Sequence, residues 1–349
     1  MKRFNNILYL VEEGEGQLAR SIDRVVALAR DNQARLTVLS VLEKPRLGFY
    51  GEVLLRDEYE GRIRQKELDR LKKAVASHAE TFEIQLDVKY GTAFIVAIQD
   101  ILRNGRDLVV KTVGHGGPHA FLFGGTDQHL LRKSPCPVWL MHAEEHLKCR
   151  KVMAAIDFDP WQEEEEPDEL NKLILELASS LALTDLADLH VAHAWQPVSE
   201  RVVRVFGSDL PDQDVAKSID REYRAHLDRT QDLVAHLRDS VGKEGYKYLS
   251  PRVHVRRGDA RNVIPTLAEE LEIDLVVMGT VSRTGIPGFL IGNTAEVILN
   301  NLDCAVLAVK PSGFVSPVVL GPVHTTRDAA LLPQNVAGKA RGERFSGSK

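Results

Sequence analysis

The chain repeats itself once. Laid over each other without a gap, VKYGTAFIVAIQDILRNGRDLVVK from Val88 and VRRGDARNVIPTLAEELEIDLVVM from Val255 share Val88/Val255, Gly91/Gly258, Ala93/Ala260, Val96/Val263 and the tetrad DLVV at Asp107 and Asp274. Further on, GGTDQHLLRKSPCPVWLM from Gly124 overlies GNTAEVILNNLDCAVLAV from Gly292, so that Gly124/Gly292, Thr126/Thr294, Leu131/Leu299, Cys136/Cys304 and Val138/Val306 coincide. A period of about 165 residues is too long for a solenoid unit, and each copy reads as a domain. With 349 residues in all, each copy has enough chain to bury its own core.

Within a copy, short apolar runs alternate with helical patterns. NILYLVEE, RLTVLSVLE, IQLDVKYG, DLVVKTV and PVWLMH are the strands of the first copy; KVMAAIDFD, ADLHVAHAW, PRVHVRRG, DLVVMG and AVLAVKP are those of the second. Continuous β-rich runs separated by amphipathic helices predict parallel strands covered on both faces, hence a doubly wound α/β fold twice over, with five strands per domain. The expected divisions are 1–143 for the first domain, 144–149 for the linker, 150–312 for the second domain and 313–349 for a mobile tail rich in Gly, Pro and Ser.

A formal net charge of −5 with 44% hydrophobic and 27% charged residues describes a globular protein with no general affinity for nucleic acid or membrane. No run reaches the roughly 18 apolar residues of a membrane span, and the N-terminus MKRFNNILYLVEE is too short in apolar residues for a signal peptide. Cys136, Cys149 and Cys304 form neither a C-x-x-C pair nor an even disulfide framework, which points to a reducing cytoplasm.

GTVSRTGIPGFLIGNT, Gly279 to Thr294, follows the apolar run Leu275–Met278 and leads into the helix TAEVILNN. A loop there lies beyond the carboxyl end of a strand, where open α/β sheets bind ligands. The N–H groups of Gly292, Asn293 and Thr294 fall at a helix N-terminus, which favours an anion. Ser282, Thr284, Asn293 and Thr294 add side-chain donors and Arg283 a positive charge, so phosphate is the natural guest; a plain connection capped by Thr294 is the simpler alternative.

G-x-x-S-x9-G-N in this loop resembles the G-x-x-G-x9-G-[ST] nucleotide loop of the universal stress protein family. The resemblance extends to Asp157 at the end of AAID, the VxxG turn at Val255–Gly258 and DLVVMG before the loop; it covers most of residues 3–312 and is nearest to tandem, E-type members. It implies two flavodoxin-like, adenine nucleotide alpha hydrolase-like domains of strand order 3-2-1-4-5. It also implies binding of ATP or AMP, with Mg only alongside ATP, and a role in stress survival. Carried over by position, Asp157 is the acid near the adenine and Val255 to Gly258 the turn beneath it. Gly279, Ser282 and Gly292 then stand at the three loop-glycine positions, and Asn293 stands where the family has the hydroxyl that meets phosphate. Ser282 and Asn293 depart from that pattern; serine at a left-handed position costs about 1–2 kcal/mol, a weakening rather than a loss.

The first copy departs further. Glu12 stands for the aspartate and Gly91 keeps the turn. Thr112 occupies the first loop glycine and His115 the second, and the loop is one residue shorter up to Gly124. A β-branched residue fits the backbone of a glycine position poorly, so this site is expected to be degenerate. The family also implies that PVWLMH and AVLAVKP face each other as a pseudo-dimer within one chain, with a homodimer and unknown protein partners beyond it.

Other signals carry less. Gly14-Glu15-Gly16-Gln17-Leu18-Ala19 satisfies a dinucleotide fingerprint, but Glu12, Glu13 and Glu15 would repel a pyrophosphate. His115 and His119, and His190 and His193, lack the further ligands of a metal site, and the latter two point to opposite faces of a strand. Glu163–Glu166, Asp168 and Glu169 read as a solvated loop before a helix. The helices at 56–80 and 214–240 carry interspersed charges of both signs, a surface face rather than a nucleic-acid stripe. No nucleophile elbow or complete P-loop is present, so the expected function is a cytoplasmic regulatory module that senses an adenine nucleotide or related phosphorylated ligand in the second domain. A weak nucleotide hydrolase, and a nucleotide-free scaffold for an apolar ligand, are the alternatives.

Overall fold

The computed structural model describes residues 4–12, 18–44, 56–113, 125–142, 147–161, 165–198, 212–280 and 291–320. His115, His119, Gly124, Ser282 and Arg283 lie outside them, as do most of the Gly14–Ala19 stretch, residue 143, residues 144–146 of the expected linker and the tail from 321 onward.

In the first half the strands are β1 (Asn6–Val11), β2 (Arg35–Leu42), β3 (Ile84–Tyr90), β4 (Leu108–Val113) and β5 (Val138–His142), and the helices are α1 (Leu18–Asn32), α2 (Arg56–Val75), α3 (Ala93–Asn104) and α4 (Gly125–Lys133). The second half repeats this with β6 (Lys151–Ala155), β7 (Asp188–Trp195), β8 (Arg252–Arg257), β9 (Leu275–Gly279) and β10 (Ala305–Val309), and with α5 (Glu165–Asp185), α6 (Asp212–Leu249), α7 (Ala260–Glu270) and α8 (Asn293–Asn300). α6 is interrupted at Gly242, whose φ of 77° and ψ of 164° are not helical. Helix α5 begins at Glu165, so the later members of the acidic run are helical rather than in a loop.

The ten strands form one sheet in the order β3-β2-β1-β4-β5-β10-β9-β6-β7-β8. All neighbours run parallel except β5 and β10, which pair antiparallel at Val306/Leu140, Leu307/Trp139 and Ala308/Val138. The central strands β1 and β10 are buried along their whole length, as strands covered on both faces must be. The edge strand β3 alternates buried and half-buried positions. One core lies under α1, α2, α5 and α6, and the other under α3, α4, α7 and α8. Each core runs unbroken across the β5–β10 seam, so the halves share both cores.

Two contacts extend the seam. Arg132 on α4 donates to Glu296 on α8 at 2.8 Å, and the segment after β10 crosses to α3, where Gln99 Nε2 donates to the Val319 carbonyl at 3.1 Å. Val318 packs on the second core. The stretch expected to be mobile from 313 therefore lies on the body as far as 320, because apolar Val318 has a place to be buried.

The glycine shared by both repeats is a requirement of the fold. Gly91 and Gly258 have φ of 149° and 147°, and their N–H groups donate to the carbonyls of Leu42 and Trp195. A Cβ at Gly258 would lie 2.7 Å from Val263 Cγ2, and one at Gly91 would lie 2.9 Å from Val96 Cγ2. The coincidence of Val96 with Val263 in the repeat is the same contact seen twice.

Candidate functional site

In the second half, β6 is flanked by β7 and β9, and the chain leaves β6 and β9 for helices on opposite faces. A crevice must open between those two exits. It holds a cavity of about 700 Å³, within the range of small-molecule sites. Its wall runs from Ala155, Ile156 and Asp157 through Ala194, Trp195 and Gln196 to the turn Gly258–Arg261, and closes on Met278, Gly279 and the start of α8 at Gly292–Ala295. Of the residues singled out from the sequence, Asp157, Gly258, Gly279, Gly292, Asn293 and Thr294 are brought together there. Val255 is not: it stands opposite His193 in the β7–β8 ladder and does not line the cavity.

Two of these residues play parts other than those expected. The Gly292 N–H donates to the Thr280 carbonyl at 3.0 Å, so it does not face an anion, and the Glu296 N–H donates to the Gly292 carbonyl; the donors at the start of α8 are those of Asn293, Thr294 and Ala295. Gly292 has φ of −60° and ψ of 137°, an ordinary cap conformation with no side-chain cap bond. Gly279 is small for the sake of packing, since a Cβ there would come 3.0 Å from Leu170 Cδ2 at the start of α5.

Asp157 is held through its backbone. Its N–H donates to Asn171 Oδ1 at 3.1 Å and its carbonyl accepts from Asn171 Nδ2 at 2.9 Å, a two-point clamp by a side chain only 2% exposed. Asn171 was missed in the sequence because a lone Asn inside a helical run carries no signal of a partner fourteen residues away. Behind Asp157, His193 Nδ1 contacts the Ile156 carbonyl at 3.2 Å and its Nε2 contacts His226 Nδ1 at 2.8 Å. A carbonyl can only accept, so the Nδ1 carries the proton and His226 is the donor to Nε2. Phe158 stacks on His193 at 4.0 Å, and Trp195 lies 5.1 Å from His226. This pair backs the wall of the cavity and holds the turn after β6 against β7 and α6.

Among the described residues, the matching place in the first half carries larger and charged side chains. The strand register equates Tyr9 with Ala154, Leu10 with Ala155 and Glu12 with Asp157. The repeat equates Lys111 with Met278, Thr112 with Gly279 and Asp127 with Ala295. Tyr9 is fully buried and its hydroxyl meets Thr112 Oγ1 at 2.9 Å, whereas the second half has Ala154 and Gly279 at these positions, with Leu170 packed against Gly279. Lys111, 5% exposed, pairs with Asp127 at 2.7 Å and with Glu12 at 3.3 Å. Burial alone would lower the Lys111 pKa, but Asp127 and then Glu12 more than offset it and hold the ammonium above the usual lysine value. A carboxylate thus occupies the first turn of α4, where α8 has Ala295 at the matching position. Thr112 is an obstacle for its bulk and its bond to Tyr9, whereas the sequence suggested a backbone misfit.

His190 and His193 go to separate partners. His190 Nδ1 lies 3.0 Å from His254 Nε2 on β8. Among the described residues no group of three or more His, Cys, Asp or Glu side chains is placed to hold a metal ion, and no helix is long and apolar enough to cross a membrane. Burial, and then the neighbouring His254, push the His190 pKa down to about 4. An unfolded chain takes up that proton near 6.5, so between 6.5 and 4 it binds more protons than the folded chain, and stability falls as pH falls through this window. The expected loss is about 2 kcal/mol from pH 7 to pH 5. Urea midpoints at the two pH values check it: His190→Leu should show a markedly smaller drop than the parent, and an equal drop would assign the acid sensitivity elsewhere.

Two doubly wound halves joined through their last strands define a duplicated α/β protein. The chain belongs to the universal stress protein family and is of its tandem type: the model described as Universal stress protein family matches residues 3–142 and again residues 149–310. It is 32% identical to Universal stress protein E of Escherichia coli K12 over 235 residues, 67% of this chain and 70% of that one. It is 28% identical to a Universal stress protein E homolog of Haemophilus influenzae over 324 residues, 89% and 98% of the two chains. Among solved structures, protein PA1789 of Pseudomonas aeruginosa PAO1 superposes with a TM-score of 0.60 at 23% identity, covering 89% of this chain and 94% of that one. A universal stress protein of Archaeoglobus fulgidus gives 0.57 at 16%, covering 87% and 98%.

Proposed function

We propose that the second half, residues 150–312, binds an adenine nucleotide, ATP or AMP, or a related phosphorylated ligand, and that the protein is a cytoplasmic regulatory module of the stress response. The reading rests on one contrast: where the cavity meets the start of α8 it is lined by Asn293, Thr294 and Ala295, with Glu296 paired to Arg132, while the first-half counterpart carries Asp127 at the Ala295 position. In this reading the amides of Asn293 and Thr294 take phosphate, with Ser282 and Arg283 contributing from the loop. Asp157 accepts from the nucleoside at the other end of the cavity. Mg enters only with ATP. A homodimer and protein partners complete the proposal.

Ala295→Asp, which copies the first half into the second, is expected to weaken ATP and AMP binding by roughly five- to 150-fold. A carboxylate a few ångströms from a phosphate costs on the order of 1–3 kcal/mol. Calorimetric titration of the parent and the variant is the test, and unchanged affinity in Ala295→Asp would place the ligand elsewhere.

A further inference from the structure

Lys310, the residue after β10, is 7% exposed, and its ammonium has no carboxylate partner among the described residues. It donates instead to the Leu131 carbonyl on α4 at 2.7 Å and to Thr280 Oγ1 at 3.3 Å, and it lies 4.4 Å from the centre of the Phe314 ring. Leu131 lies in the last turn of α4, whose carbonyls lack helical partners and attract a cation. Thr280 is the first residue of the loop that leads to the cavity. Its N–H donates to the Val309 carbonyl, and its own carbonyl accepts from the Gly292 N–H. One ammonium therefore joins a helix end of the first half to the residue from which the start of α8 hangs. Arg132, the next residue on α4, reaches Glu296 in the first turn of α8, a second tie between the same two helices.

We infer that Lys310 is a positioning residue that couples ligand occupancy of the second-half cavity to helix α4 of the first half. Anything that tightens the start of α8 also tightens Gly292 on Thr280, Thr280 on Lys310, and Lys310 on Leu131. The first half is then the responding surface, and the second half the sensing one. This inference rests on the nucleotide reading above and adds the route by which occupancy is felt. Burial of the ammonium pushes its pKa down to about 8, so the tie weakens in mildly alkaline solution. The groups that face it are the Leu131 carbonyl from α4, the Thr280 hydroxyl from the end of β9 and the Phe314 ring from the segment after β10; Arg132 on α4 is engaged by Glu296.

Hydrogen exchange of residues 125–133, read by mass spectrometry with and without saturating ATP, tests the coupling on the full chain. Exchange in the parent should slow about threefold with ATP. In Lys310→Met the slowing should vanish, and in Lys310→Arg it should persist. Thr280→Val, which installs the residue of the first repeat (Val113), cuts the tie at its other end without adding bulk and should also abolish most of the slowing. ATP affinity of the parent should fall about threefold from pH 7 to pH 9, and that fall should be absent in Lys310→Met and Lys310→Arg. ATP binding with no change in the exchange of 125–133 would overturn the coupling and leave the nucleotide reading standing. Failure of the parent to bind ATP at all would overturn both.

Discussion

Replacement of Lys111 by methionine should destabilise the protein by about 3–5 kcal/mol, the usual consequence of removing one partner of a buried ion pair. The side chains of Lys111 and Asp127 are 6% and 4% exposed and their charged atoms are 2.7 Å apart, so the variant strands a carboxylate in the core of the first half. Glu12, 41% exposed, can turn to water and adds little to the loss. The second half already supplies the remedy, with Met278 and Ala295 at the matching positions. The double variant Lys111→Met/Asp127→Ala should therefore lie within about 1 kcal/mol of the parent, because an apolar pair of similar shape replaces an ion pair at little cost. Urea unfolding of the three proteins decides it. A double variant as unstable as the single one would mean that the first half needs its charges for some reason other than mutual compensation.

Gly258→Ala is the second large effect. At φ of 147° an alanine is strained, by about 1–3 kcal/mol. Its Cβ would also press on Val263 at 2.7 Å, and overpacking of that kind costs about 1–3 kcal/mol more. A total of about 2–6 kcal/mol follows, with nucleotide affinity falling as well, since the same turn lines the cavity. Gly91→Ala should lose about as much stability with no effect on affinity. Gly105→Ala is the control: its φ is 60° with nothing within 4 Å of an added Cβ, so about 1 kcal/mol is expected. If Gly258→Ala costs no more than Gly105→Ala, the turn is more pliable than the contact with Val263 implies.

Much of this architecture was legible because the chain states it twice. The order of strands and helices followed from apolar runs and periodicity, and the tetrads DLVV located β4 and β9 before any coordinates. Gly91 and Gly258 were marked by coincidence, although only the backbone angles and the facing valines give the reason. The cluster in the first half was harder to see. Tyr9, Thr112, Lys111 and Asp127 come from three separate elements, and nothing in their spacing says that they meet. A threonine in a glycine's place suggested backbone trouble, whereas the determining fact is what its side chain touches. Asn171, the His193–His226 pair and Lys310 were invisible for the same reason: each acts across a distance in sequence that only the packed sheet closes.

Native mass spectrometry of the freshly purified protein tests most directly the proposal that the second half alone takes a nucleotide. Titrated with ATP under non-denaturing conditions, the folded chain should gain one nucleotide mass and no second, and Ala295→Asp should gain none at the same concentration. Two adducts per chain, or one that survives Ala295→Asp, would contradict the assignment of the site to the start of α8.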